Sequence, residues 1–265
     1  MTPALSFLRS DRMKILYIGD IVGKMGLEFL KTELPKLKTE YKPNLVFVNA
    51  ENTTNGKGLS LKDYKEIMKL NISGISMGNH TFRQYEINDF IDAARIARPL
   101  NICNVKGKGY IDINFNGKII TLVNLIGQIN ITMSEQVLNP FTVIDEFLEK
   151  HQYDYLIVDF HAETTSEKIA MGRFLDGKAS VVVGTHTHVQ TNDAQVFPKG
   201  TLYLTDLGMT GPLNGVLGVE PEIIIDRLKN EGMKVFKLSD DGHVMLNGAL
   251  FDLEKKTIKL INLKK

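Results

Sequence analysis

The chain carries a single cysteine, Cys103, among 265 residues. A lone thiol cannot close an internal disulfide, which agrees with a reducing, cytoplasmic setting. Cys103 is followed by Asn104-Val105 and sits in an apolar run, so it reads as a buried inert group rather than a nucleophile. No apolar stretch approaches the ~20 residues that a membrane span needs, and the first residues do not form a signal-peptide pattern. An excess of one charge is missing too. Lys and Arg number 32 against 31 Asp and Glu, a net charge of +1, so no global field draws the chain to nucleic acid or to an anionic membrane. The G-x-S-x-G elbow of serine hydrolases is absent, as are internal repeats and low-complexity tracts. What remains is an ordinary globular composition, 43% hydrophobic and 24% charged, able to bury a large core as one domain.

Residues 1–12 do not share the pattern that begins at Met13 and are expected to be an extension or tag. Residues 13–265 are expected to form one domain. Lys14–Asp20 reads as a buried strand ending in Gly19-Asp20. A helix follows, because Leu27, Leu30, Leu34 and Leu37 keep one apolar face, with Pro35 as a candidate kink. Leu45–Val48 is the next strand and leads to Asn49-Ala50-Glu51-Asn52 and a glycine-rich loop over Asn55–Gly58. Ser60 and Asp63 resemble a capping box for a helix through Leu70.

A strand over Ile72–Met77 ends in Gly78-Asn79-His80. The spacing of Ile87, Phe90, Ile91 and Ala94 predicts a helix, and Leu100–Cys103 a further strand. Tyr110–Phe115 and Ile119–Leu125, joined by Asn116-Gly117, predict a hairpin. Gln128–Asn139 is polar and irregular, so a small flap or cap is expected around 105–140. Pro140–Lys150 and Glu163–Arg173 are helical, and Tyr155–Val158 is a strand leading to Asp159-Phe160-His161. Val181-Val182-Val183 is another buried strand, leading to Gly184-Thr185-His186-Thr187-His188. Strands are expected around Ala194–Phe197, Thr201–Leu204, Val235, Val244–Phe251 and Ile258–Ile261, with a helix over Glu222–Lys229. This alternation argues for a layered α/β fold with antiparallel strands late in the chain.

Metal-ligand chemistry stands after the early strands: Asp20, Glu51 with Asn52, Asn79 with His80, His161, and His186 with His188. On extended backbone, residues two apart project to the same side, so His186 and His188 can converge on one centre. Each element alone is weak. A Gly-Asp pair is usually a turn, and a histidine beside an apolar strand is usually a satisfied core residue. Their joint placement at the carboxyl ends of strands, where open α/β sheets bind ligands, is hard to reach by accident. Carboxylates, amide oxygens and imidazoles suit borderline cations such as iron, manganese, zinc or cobalt. With His80 set aside beside Asn79, the remaining seven ligands exceed the need of one ion, whereas two ions sharing a carboxylate would use them all, an arrangement suited to phosphate-ester hydrolysis. A dinucleotide site is the rival reading, since Gly19, Gly23 and Gly26 follow the first strand. The spacing there is not G-x-G-x-x-G, and Asp20 in that turn would repel a pyrophosphate.

Gly19-Asp20, Gly78-Asn79-His80 and Gly184–His188 resemble the calcineurin-like metallophosphoesterases. Longer stretches narrow the likeness: GDIVGKMG, NAENTTNGKGL, GNHTF, VDFHAETTSEK, GTHTHVQT and TDLGMTGP are similar to the YmdB-type bacterial phosphodiesterases. The resemblance implies a calcineurin-like layered sandwich of mixed β-sheets flanked by helices, with the metal site at strand carboxyl ends. It implies that Asp20, Asn52 and His188 hold one metal, that Asn79, His161 and His186 hold the other, and that Glu51 bridges them. Iron or manganese would be the usual metals, with zinc also compatible. Cyclic nucleotides, 2′,3′ or 3′,5′, would be the substrates, attacked by a metal-bridging hydroxide with His80 as general acid. The resemblance also implies a homo-oligomer. Two departures from the wider superfamily stand out. The Asp-x-His after the first strand is Asp20-Ile21-Val22 here, with Asn52 as the replacement ligand, and no acid follows Gly-Asn-His, which leaves open what orients His80. Two other functions are kept beside the leading one: a nuclease acting on RNA, and a regulatory protein that senses a nucleotide or phosphate without turnover. A sensor has no use for a leaving-group acid, and near-neutral charge weighs against tight, non-specific RNA binding.

Overall fold

The structure, a computed structural model, describes residues 12–230 and 235–265. Of the extension expected over residues 1–12, only Arg12 is among them, its guanidinium on Asp252.

Two sheets lie face to face. The first is built on β1 (Lys14–Ile18), β3 (Leu45–Asn49), β4 (Gly74–Ser76) and β5 (Ile96–Ala97), which run parallel in that order. On the other side of β1 lies β13 (Val244–Asp252), antiparallel, followed by β14 (Thr257–Lys264). Beyond Gly19 the chain continues as β2 (Asp20–Ile21), and β12 (Met209–Pro212) bridges β2 to β13. The second sheet runs β10 (Gln195–Val196), β11 (Leu202–Leu204), β9 (Val181–Thr185), β8 (Tyr155–His161), β7 (Lys118–Ile126) and β6 (Tyr110–Phe115). The expected hairpin is its β6–β7 pair. Its turn residues Asn116 and Gly117 have φ of 52° and 78°, the positive values that a two-residue turn of this hand requires.

Period-two burial explains the layering. Ile15, Tyr17, Leu45 and Phe47 face Ile120, Leu122, Ile157, Val181 and Val183 across the space between the sheets. The alternate residues Leu16, Ile18, Val46 and Val48 face outward, where they meet α1 (Gly23–Tyr41) and α2 (Leu61–Met68). Val123, Leu125, Leu156, Val158 and Val182 do the same beneath α3 (Pro140–Lys150) and α4 (Thr165–Phe174). The result is a four-layer α/β sandwich, as expected. A further helix, α5 (Pro221–Asn230), lies late in the chain. Among the described residues no helix is long and apolar enough to cross a membrane.

Several local expectations are corrected. The helix expected through Ile87–Ala94 is two 3-10 turns, Tyr85–Asp89 and Ile91–Ala93. Ile87 and Ile91 are buried as that spacing requires, but Asp92 Oδ1 accepts from the Gly107 N–H at 2.7 Å, which ties the segment to another loop instead of a continuing helix. Leu100–Cys103 is not a strand. Its backbone makes only an isolated antiparallel bridge, Ile102 with Val137, while the Asn101 side chain bonds both backbone groups of Ile126 and the Leu138 carbonyl. Val235 is not in a strand either. The nearby backbone bonds loop 218–220 instead, through Glu220 N–H to Lys237 O and Ser239 N–H to Gly218 O. Pro35 lies inside α1, which runs unbroken around it. Ser60 Oγ caps α2 at the Asp63 N–H, as half of a capping box, while the Asp63 carboxylate accepts from Thr54 instead.

Helix α1 can lie on β12 only because residue 26 has no side chain. A Cβ on Gly26 would stand 2.1 Å from the Thr210 carbonyl oxygen, which belongs to the backbone and cannot swing away. Gly26→Ala is therefore expected to push helix from sheet and lower stability by about 1–3 kcal/mol. A urea unfolding midpoint equal to that of the parent protein would contradict this contact.

Candidate metal centre

The inward-facing rows of both sheets change character along their length. At one end they are apolar; Tyr17, Asn49, Ser76, Asp159 and Thr185 follow, and beyond them come Glu51 and His161, all buried. His161 continues the inward row of Ile157 and Asp159, and the parallel register sets it opposite Thr185 on the neighbouring strand.

At this end of the sandwich the chain brings together the seven residues expected as ligands. Glu51, His161 and His186 present ligand atoms that all lie within 4.8 Å of one another. Around His161 Nε2 stand Asn79 Oδ1 at 3.0 Å, His186 Nδ1 at 3.0 Å and Glu51 Oε1 at 3.2 Å. Asp20 is fully buried, with Oδ2 accepting from the His186 backbone N–H at 3.2 Å and Oδ1 without a hydrogen-bond partner among the described residues. Asn52 Nδ2 lies 3.2 Å from Glu51 Oε1 and 3.1 Å from His188 Nε2. His188 Nδ1 faces the Leu217 carbonyl at 3.0 Å. A carbonyl only accepts, so that bond places the His188 proton on Nδ1 and its lone pair on Nε2.

This donor set fits a cation. Two ring nitrogens, an amide oxygen and a carboxylate oxygen converge on one point, and a single proton on His161 Nε2 cannot satisfy them together. A buried carboxylate oxygen without a partner is costly unless a positive ion meets it. The backbone also comes close here, since a Cβ on Gly78 would lie 2.3 Å from His161 Nε2 and 2.4 Å from Glu51 Oε2.

The electrostatics of the protein groups follow from burial and crowding. Burial raises Asp20 to about 7, against the opposing pull of His188 and His161. Burial pushes the Glu51 carboxyl up, but His161, His80 and the His80 backbone N–H together hold it well below the usual carboxylate range. Burial and the neighbouring charge of His161 push His186 down to about 3, which leaves its ring neutral. His161 is pulled down by burial but further up by Glu51, Asp20 and Asp159, to about 9. His80 is lowered, chiefly by burial.

What holds His186 and His188 in place was not legible in the motif. Both carry positive φ, 104° and 63°, which non-glycine residues adopt only under compulsion. Asp206 supplies it. Its Oδ2 accepts from the Thr187 N–H at 3.1 Å, the Thr187 hydroxyl at 2.8 Å and Lys168 Nζ at 2.6 Å, and its Oδ1 accepts from the Gly208 N–H at 2.8 Å. Lys168 and Asp206 are both buried. A second unforeseen neighbour is Glu163, whose carboxylate lies 3.1 Å from His186 Nε2; its place two residues after His161 was the available signal.

His80 answers what orients its ring. Its Nδ1 lies 2.6 Å from Asn52 Oδ1, and its backbone N–H donates to Glu51 Oε2 at 2.8 Å. It lines a cavity of about 350 Å³ together with the apolar residues Val22, Leu217, Val219, Phe236 and Leu238 and with Lys57. The expected flap region, 105–140, contributes β6, β7 and the loop before α3, and none of the residues lining this cavity.

Comparison with known proteins agrees with this architecture. The family described as "YmdB-like protein" matches residues 16–265. A Bacillus subtilis protein named 2′,3′-cyclic-nucleotide 2′-phosphodiesterase is 43% identical over 257 residues, which is 96% of each chain. A solved Mycoplasma pneumoniae structure, described as a novel phosphatase, superposes with a TM-score of 0.88 at 38% identity, covering 96% of this chain and 94% of that one. A Thermus thermophilus structure described as a hypothetical protein gives a TM-score of 0.90 at 34% identity, over 96% and 100% of the two chains.

The raised value of Asp20 has a measurable sign in metal-free protein. Unfolding releases its proton near the ordinary 3.8 whereas the folded group holds it to about 7, so its contribution to stability falls as pH rises between those values. Asp20→Asn mimics the protonated form. After chelation it is expected to match the parent at pH 4 and to exceed it at pH 7.5 by on the order of 3–4 kcal/mol. A pH-independent difference in urea unfolding would show that Asp20 does not carry this charge cost.

Proposed function

The chain belongs to the YmdB-like protein family, and from that premise we propose that it is a metal-dependent phosphodiesterase acting on nucleoside 2′,3′-cyclic phosphates. The observation that carries the reading is the cavity, whose lining joins Glu51, Asn52, His186, His188 and His80 to a set of apolar side chains. The name of the Bacillus subtilis relative supports the 2′,3′ ring and cleavage on its 2′ side.

Asp20, Glu51, Asn52, Asn79, His161, His186 and His188 would hold two cations, with Glu51 between them. When bound, such ions acidify water and neutralise phosphoryl charge. Iron, manganese and zinc all accept this mixture of imidazole and oxygen donors. The size of the cavity suits a mononucleotide. The base would lie against Leu217, Val219, Phe236 and Leu238, while Lys57 offers a positive charge in the same lining.

Hydrolysis adds OH to phosphorus, breaks the bond to O2′ and returns a proton to that oxygen, leaving a 3′-nucleotide. His80 supplies this proton. Acting as the acid, His80 carries both ring protons: Nδ1–H donates to Asn52 Oδ1, 2.6 Å away, and Nε2–H is left for the cavity. The second lone pair of that amide oxygen would be the one offered to a cation. The Asn52 amide would thus stand in place of the carboxylate missing after Gly78-Asn79-His80.

Elemental analysis after reconstitution is expected to give two transition-metal ions per chain, and the loaded protein is expected to convert 2′,3′-cyclic AMP to the 3′-nucleotide. A reproducible metal value at or below one would end the shared-carboxylate reading. His80→Ala should keep both ions and lose on the order of 10²–10⁴-fold on the cyclic nucleotide, whose leaving group is a poor one. It should lose far less on a nitrophenyl phosphodiester, whose leaving group departs without a proton. Equal losses on both substrates would remove His80 from the acid role.

A further inference from the structure

We propose that Asp159 and Thr185 form a buried relay that fixes which nitrogen of His161 carries its proton, and so aims the other at Glu51 and His186. Thr185 and Asp159 are positioning residues in this account, and their purpose rests on the reading of His161 as a ligand given above.

Asp159 lies between the sheets, fully buried on β8. Its Oδ2 accepts from the Ser76 hydroxyl at 2.5 Å, the Tyr17 hydroxyl at 3.1 Å and Asn49 Nδ2 at 3.2 Å. These donors come from β4, β1 and β3, all in the opposite sheet. Its Oδ1 has a different partner, the Thr185 hydroxyl at 2.7 Å. A carboxylate has no proton to give, so the single proton of Thr185 is committed to Asp159. Toward His161 Nδ1, 2.9 Å away, the Thr185 oxygen can only accept. The imidazole must therefore donate from Nδ1, and when a cation takes the place of its other proton it is the Nε2 lone pair that faces Asn79, His186 and Glu51.

A hydroxyl alone would not decide this, because it can donate or accept with equal ease. The carboxylate behind it removes the choice. His188 reaches the same end by a simpler means, the Leu217 carbonyl. His161 sits in the fully buried layer between the sheets, where Thr185 stands opposite it across the β8–β9 ladder. Four donors also explain how a carboxylate survives there. If Asp159 served packing alone, an apolar residue would fill the same space at less cost in desolvation.

Three substitutions separate this relay from a packing role. Thr185→Val keeps the volume and removes the hydroxyl, whereas Thr185→Ser keeps the hydroxyl. Asp159→Asn keeps the shape of the carboxylate but brings an NH₂. With its oxygen toward the Ser76, Tyr17 and Asn49 donors, that NH₂ faces Thr185, which must then donate to His161 Nδ1 and drive the imidazole proton to Nε2. Zinc affinity, measured by competition with a chromophoric chelator, is expected to fall about 10–100-fold in Thr185→Val and in Asp159→Asn. Thr185→Ser is expected to stay within about threefold of the parent. Spectra of ¹⁵N-histidine-labelled, zinc-loaded protein should place the His161 proton on Nδ1 in the parent and in Thr185→Ser. The proposal is overturned if Thr185→Val and Asp159→Asn bind zinc as the parent does, or if the parent carries that proton on Nε2. If one variant fails to fold by circular dichroism, the other still decides. His161→Ala is the control for the underlying reading: unchanged zinc affinity there would mean that His161 is no ligand, while the position of its proton in the parent would still judge the relay.

Discussion

The geometry of this molecule depends on keeping a carboxylate between two sheets that elsewhere meet through apolar side chains. Burial pushes Asp159 above its ordinary value, and the Ser76 hydroxyl, the charge of His161, the Thr185 hydroxyl and the Asn49 amide pull the other way. A half-satisfied group of this kind would cost several kcal/mol. Satisfying it requires β1, β3 and β4 of one sheet to stand in one register against β8 and β9 of the other. Apolar packing between sheets tolerates sliding and repacking, whereas a set of hydrogen bonds near 3 Å does not. The cluster thus acts as a gauge between the layers, and the spacing from Glu51 to His161 inherits it.

That spacing matters because the two halves of the centre differ in chemistry. Asp20, Glu51, Asn52 and Asn79, the proposed oxygen ligands, lie in β2 or just after β3 and β4, in the first sheet. His161, His186 and His188, the proposed nitrogen ligands, lie at or just after the ends of β8 and β9, in the second. Neither sheet presents a mixed set alone. A borderline cation, which accepts both donor types, is matched to the seam between them.

Much of this was legible in the sequence because the signals were local. Val181–Val183 is apolar in a short run, Asn116-Gly117 is a turn by backbone necessity, and each glycine-led motif sits where a strand stops. The signals that escaped are those whose partner is far along the chain. Asp206 grips Lys168 across 38 positions, and nothing near either residue announces a buried pair. Asp159 was more accessible than it looked. It is two residues from both Ile157 and His161, so the period of a strand alone puts it on the same inward face. The 3-10 turns over 85–93 show the opposite failure, where helical spacing is real but a bond from Asp92 to Gly107 overrides it. The apolar lining of the cavity comes from residues 217–219, which carry no motif, and from 236–238, beside the strand expected around Val235.

The pairing of β1 with both β3 and β13 carries a consequence for how the chain comes into being. Synthesised from its amino terminus, it makes β1 long before the neighbour on one side of that strand, residues 244–252. Until then β1 has an open edge rich in isoleucine and leucine, the kind of surface that other chains can pair with. Closure of the first sheet is thus a late, long-range event, and folding speed falls as contacts become more distant in sequence. The proposed oxygen ligands, carried by residues 20–79, thus stand in a sheet that is complete only when a strand supplying none of them is in place.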